Sequence, residues 1–168
     1  MDGRHHTLAY PLLAAAVAMT LAPTLAGALT LTWSSGDFVT GITAPEPLTA
    51  LDILEISSGG TKRFVGTTFT NLSLVRWLAD PVQGGNGAVV NNLGEWRSES
   101  DANSLTWNFG AQALFVNTGS FSKSAGSVTN VGSWRFVNDG GLIDAQTGTI
   151  VFNSASNVFN SGSRFTGA

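Results

Sequence analysis

The chain has 168 residues, enough for one domain. Hydrophobic residues make up 43% and charged residues only 11%, against about a quarter in an average domain, and the formal net charge is −3. That balance supplies no field to gather nucleic acid or anionic lipid, and the lack of Cys removes disulfides, thiolate catalysis and Cys-based zinc sites.

The amino end reads as an export signal. Met1 to His6 is a short polar head carrying Arg4, and Leu8 to Ala22 is an apolar run followed by Pro23. Ala26-Gly27-Ala28 is a small-x-small triplet of the kind signal peptidase accepts, which predicts a helical signal peptide over 1–28 with cleavage after Ala28. The competing reading is an uncleaved anchor, since Leu8 to Leu31 is nearly long enough to span a bilayer. Pro11, Pro23 and Gly27 interrupt it and no basic cluster follows, so the expectation is cleavage, secretion or surface display, and no membrane span thereafter. His5 and His6 leave with the signal, so the mature chain 29–168 has neither His nor Cys. Ser-His-Asp and Cys-His triads and the usual zinc or iron sites are then out of reach, and no cofactor is expected.

Past Leu29 the apolar residues come in bursts of strand-like alternation, as in Leu29, Leu31, Trp33 and in Ile150, Phe152, punctuated by Gly, Asn, Ser and Asp. Pro45 to Ile56 reads as an inserted loop leading into a strand, because Pro45 and Pro47 flank it and Gly59-Gly60 closes it. The register of residues 37–66 is left open. Within the punctuation a phrase recurs: Asn, any residue, Gly, any residue, a large apolar side chain. It occurs at Asn92-Gly94, Asn117-Gly119, Asn130-Gly132 and Asn138-Gly140, in a displaced form at Asn160-Gly162, and in a degraded form at Asn71. Positions 71, 92, 117, 138 and 160 are spaced 21, 25, 21 and 22 residues apart.

A step near 22 residues suits one coil of a parallel solenoid: two or three short strands with a corner between each, stacked at about 4.8 Å so that equivalent residues form ladders. Asn and Gly are expected at the corners because they tolerate positive φ, and a stacked Asn can bond to the coil above or below. An antiparallel β-sandwich also has short strands and Gly-rich turns, but its turns do not repeat in phase. The mature chain is long enough for about six coils.

These phrases resemble the secreted bacterial right-handed parallel β-helix proteins of the autotransporter-passenger and filamentous-haemagglutinin type. The resemblance is carried by Leu29-Thr30-Leu31-Thr32-Trp33-Ser34-Ser35-Gly36, by Val90-Asn91-Asn92-Leu93-Gly94-Glu95-Trp96 and, most fully, by the stretch Phe115 to Gly126. It spans nearly all of 29–168, with departures at Leu72-Ser73-Leu74 and in the insertion from Ala44 to Pro47. It implies an all-β single-stranded β-helix and a cell-surface, adhesive or scaffolding role, and it transfers no catalytic residue.

Polysaccharide-cleaving enzymes use clusters of carboxylates, which makes these the candidate catalytic groups. The densest group is Glu95, Glu99 and Asp101 around Arg97; alternation puts Glu95, Arg97 and Glu99 on one face, opposite Trp96, as an ordinary solvated surface or a small polar groove. Thr67, Thr68 and Thr70 are too local for an ice-binding ladder, and no calcium-binding nonapeptide is present. Among the five tryptophans, Trp77, Trp96 and Trp107 are candidates for glycan contact if they face outward, and core residues if they do not. The chain stops at Ala168, straight after a repeat phrase; this is read as an uncapped coil open to end-to-end association, in a fragment of a longer product. The expectation is therefore a non-catalytic exported scaffold or adhesin, with a lyase or hydrolase on the same fold and a glycan-binding module as the alternatives.

Overall fold

The computed structural model describes residues 18–23, 29–39, 52–101 and 103–168, with side chains described from Thr30 onward. Strand β1 (Ala18–Pro23) is followed by β2 (Leu29–Val39), a long strand whose two halves belong to two different faces. The coils then run β3 (Ile53–Ile56), β4 (Lys62–Val65) and β5 (Thr68–Asn71); β6 (Leu74–Trp77), β7 (Val82–Gly85) and β8 (Val89–Asn92); β9 (Glu95–Ser98), β10 (Asn103–Phe109) and β11 (Leu114–Asn117). They continue through β12 (Ser120–Lys123), β13 (Val128–Val131) and β14 (Arg135–Asn138), then β15 (Leu142–Ala145), β16 (Thr149–Phe152) and β17 (Val158–Phe159), and finally β18 (Arg164–Gly167).

Every strand from β3 onward pairs parallel with the strand one turn away, so three ladders of strands form the three faces of a parallel β-solenoid of about six turns. Face A holds β2, β3, β6, β9, β12, β15 and β18; face B holds β2, β4, β7, β10, β13 and β16; face C holds β5, β8, β11, β14 and β17. This excludes the antiparallel sandwich. Among the described residues the single antiparallel pair is β1 with β2, which joins Pro23 to Leu29 and Ala22 to Thr30. Most of the helical segment expected over 1–28 lies outside the described residues, and Ala18–Pro23 is this strand. The insertion before Ile53 likewise lies mostly outside them, but the strand expected after it is β3, and the register of residues 36–39 is set by pairing with 62–65.

Alternation on four-residue strands turns two side chains per strand inward, and stacking converts them into rows. One row on face A reads Leu31, Leu54, Val75, Trp96, Phe121, Ile143; on face C the matching row is Phe69, Val90, Phe115, Phe136. Rings meet along and across these rows, as in Phe115 stacked on Phe136 at 5.2 Å between centroids and Trp96 edge-on to Phe115 at 5.1 Å. Fully burying such a side chain contributes about 1.5–3 kcal/mol, and no single coil could achieve it alone. Phe165 continues the face A row onto β18 and is exposed.

The corner between faces C and A carries the repeat phrase. Asn71, Asn92, Asn117 and Asn138 are wholly buried and in register, and each Nδ2 of the first three donates to the Oδ1 of the next at 2.7, 2.7 and 2.6 Å. The same nitrogens donate a second bond to the carbonyls of Glu95, Ser120 and Leu142, while Asn138 closes the chain on the carbonyl of Gly141. The positive φ expected at these corners is absent from all four asparagines and from Gly94 and Gly119. Those two glycines are required by proximity instead: a Cβ on either would lie 2.1 Å from a carbonyl oxygen of the coil beneath, Ser73 or Gly94. Gly140 and Gly162 do sit at positive φ.

Two of the phrase's copies fall elsewhere. Asn138 is paired with Phe159, so Asn160 lies one residue past the ladder, exposed, donating to Asp139 at 3.0 Å. The last ladder step is thus 21 residues and ends in a phenylalanine. Asn130 is a mid-strand residue of β13 on face B, half-buried beside Val151, and Gly132 follows it above the carbonyl of Leu105.

Candidate functional site

The outer side of face A gathers the chain's main charge cluster. Glu55, Arg76 and Arg97 occupy equivalent positions on β3, β6 and β9 and are spaced 21 residues apart, so the coil period stacks them along the axis. Arg76 Nη1 donates to Glu55 at 2.7 Å, and its Nε and Nη2 clamp Glu99 at 2.8 and 2.7 Å. Arg97 clamps Glu95 in the same two-toothed manner at 2.8 and 2.7 Å, lies 4.0 Å from Glu99, and shares Glu95 with the hydroxyl of Ser122 at 2.9 Å. Planar guanidinium and carboxylate groups match in this geometry, which fixes both orientations.

Alternation does set Glu95, Arg97 and Glu99 on one side of the strand and Trp96 on the other. Asp101 is not a member: it receives hydrogen bonds from the backbone and hydroxyl of Ser127 at the next corner. The hydrogen bonds from Arg76 and Arg97 hold the carboxyls of Glu99 and Glu95 below the usual range, and the same bonds push both guanidinium values up. The carboxylates of Glu95 and Glu99 are thereby kept ionised and engaged, whereas a general acid needs a raised value. Arg76 and Glu55 were not grouped with this cluster on sequence grounds; the signal that finds them is the 21-residue spacing itself, applied to charged positions.

The corner between faces A and B hides a polar seam. Lys62 is wholly buried, with Nζ donating to Asp80 at 3.1 Å and to the Gly60 carbonyl at 3.2 Å. Asp80 also accepts from the Gly59 backbone at 3.0 Å, and its carboxyl is held low chiefly by Lys62. This pair borders an open cleft of about 210 Å³ lined by Gly59, Gly60, Thr61, Asp80, Pro81 and Gln83. Lys123 is equally buried but has no carboxylate in contact; its three protons go to the carbonyls of Ser100 and Ala125 and the hydroxyl of Thr129, at 3.2, 2.8 and 3.2 Å. Burial pushes its ammonium value down. Thr129 continues the network to Ser98 at 2.6 Å, and Ser98 to Asn103 at 3.0 Å.

Of the tryptophans singled out for glycan contact, Trp77 and Trp96 are wholly buried core residues, as are Trp33 and Trp134. For Trp77 and Trp96 the inward phase in the four-residue strands β6 and β9 makes that unavoidable. Trp107 is 42% exposed. Among the described residues no three His, Asp or Glu side chains cluster so as to hold a metal ion, and no helix is long and apolar enough to cross a membrane. No protein-family model matches the chain, nor does a comparison with curated proteins or with solved structures give a significant match.

Proposed function

We propose that the chain is a rigid, non-catalytic scaffold of a surface or extracellular bacterial repeat protein, exported through cleavage after Ala28. The observation that carries this reading is the destination of its charges. Arg76 reaches Glu55 of the coil before it and Glu99 of the coil after it, and Lys62 reaches Asp80 of the next coil, so these charges tie adjacent coils together, while Arg97 is spent on Glu95 of its own strand. A stack bonded through every turn by backbone ladders, reinforced by the asparagine ladder from Asn71 to Asn138 and by the ion pairs of Arg76, is stiff along its axis, which is the property a stalk or adhesive surface needs.

The experiment has two readouts. The gene is expressed with its own amino end in an export-competent bacterium, and the exported product is sequenced; it should begin at Leu29. The purified chain is then incubated with acidic and neutral polysaccharides. Release of reducing ends or unsaturated uronates that disappears in Glu95→Gln or Glu99→Gln would replace the scaffold reading with the enzymatic one.

A further inference from the structure

The coil that begins at Glu95 is longer than its neighbours, 25 residues to the next start at Ser120 against 21 from Leu74 to Glu95. The excess is used on face B, where β10 has seven residues and its pairing with β7 slips between Trp107 and Phe109. Trp107 pairs with Gly84, which in turn pairs with the wholly buried Phe64, so register alone would turn its indole inward. Another tryptophan holds that space. The ring of Trp134 lies where a Cβ on Gly84 would be only 2.3 Å away, and its Nε1 donates to the Thr106 carbonyl at 2.9 Å.

Trp107 is held outside in a fixed pose. Its backbone N–H donates to Ser133 Oγ at 2.6 Å, and its indole N–H is shared between the carbonyls of Phe109 and Gly110 at 3.2 and 3.1 Å. With the polar edge already bonded, what the residue offers to solvent is ring surface. No charge stands among the groups that hold it, and exposed amides flank it: Asn108 next in the chain, and Asn86, whose Oδ1 lies against Gly110. A flat, immobilised, apolar surface with neutral hydrogen-bonding groups at its margin is complementary to the C–H face and hydroxyl rim of a sugar ring. Its bonding partners Ser133, Phe109 and Gly110 include no carboxylate for a cationic ligand and no lysine or arginine for an acidic one.

We propose that Trp107 is a stacking platform for a neutral hexopyranose, flanked by Asn108 and Asn86. This goes beyond the scaffold reading and fails separately from it. Because the other four tryptophans are wholly buried, quenching of the fluorescence by iodide in the full chain reports Trp107. Cellohexaose, chitohexaose and maltohexaose are the probes. At least one should lower the quenching constant by about twofold or more and show saturable binding by calorimetry, with Trp107→Phe retaining binding and Trp107→Ala weakening it at least about tenfold. The melting temperature of Trp107→Ala, tracked in parallel, should stay near that of the parent, because the indole is outside the core. Protection by none of the three oligosaccharides, undiminished binding by a folded Trp107→Ala, or protection by tetramethylammonium instead would each overturn the proposal. The first and third are read on the unsubstituted chain, so they decide the matter even if a variant fails to fold.

Discussion

A single buried amide shows how this chain converts sequence into register. Asn92 accepts from Asn71, donates to Asn117 and donates again to the Ser120 carbonyl, wholly buried. Each buried polar group left without a partner costs about 1–3 kcal/mol, so Asn92→Ala, which strands the amide of Asn71 and the acceptor on Asn117, should lower stability by about 2–3 kcal/mol in urea unfolding. Asn160→Ala, exposed and one residue off the ladder, should change it by less than about 0.5 kcal/mol. Equal effects of the two would refute the ladder as the source of the register. The recurrence of Asn-x-Gly was readable from the sequence, and so were the four ladder members. The position after them was not, because Asn160 and Phe159 are adjacent and only strand pairing says which of the two faces inward. The reason for Gly94 and Gly119 was also hidden, since the carbonyls that exclude a Cβ belong to the previous coil and are 21 to 25 residues away in the chain.

At the level of strands, the outer row on face A gives the fold a pH dependence of definite sign. Arg76 and Arg97 depress the carboxyl values of Glu99 and Glu95 in the folded chain, so protons bind more tightly to the unfolded one. The stabilisation is complete above the unfolded value of about 4.3 and is lost as pH falls from there through the folded value. Urea midpoints should therefore be level from about pH 7 to 5 and fall below about pH 4. Arg76→Met should shallow that decline and, at neutral pH, cost about 1 kcal/mol or less, because these side chains are partly exposed and screened. A decline of the same depth in the variant would show that the acid sensitivity arises elsewhere. The inner side of face B makes the opposite kind of prediction, steric instead of electrostatic. Gly84→Ala would drive a methyl group into the buried ring of Trp134 and to 2.6 Å from the Ala113 Cβ, and should destabilise by about 1–3 kcal/mol with loss of the near-ultraviolet tryptophan signal. Sequence alternation placed Glu95 and Arg97 correctly, but it could not foresee the exchange of Trp107 for Trp134, which depends on a slip in pairing between two strands.

For the molecule as a whole, the governing property is that each coil sees only its neighbours. Stability is then close to a sum of coil and interface contributions, and the chain should accept an extra turn if the turn arrives in phase. The segment 74–94 is one full coil, from the start of β6 to the residue before β9. A second copy inserted after Gly94 would set Asn92 beside its duplicate in the asparagine ladder, Val75 beside Val75 and Trp77 beside Trp77, with Arg76 stacked as it already is on Arg97. The product should unfold in one cooperative transition, lengthen by about 4.8 Å along the axis in solution scattering, and show a larger dependence on urea because more surface is exposed on unfolding. A copy lacking Arg76 breaks the alternation inside β6, so that Val75 and Trp77 of that strand can no longer both face the core. That variant should aggregate or fail to fold. If the two duplications behaved alike, the stacking of coils in register could not be what holds this protein together.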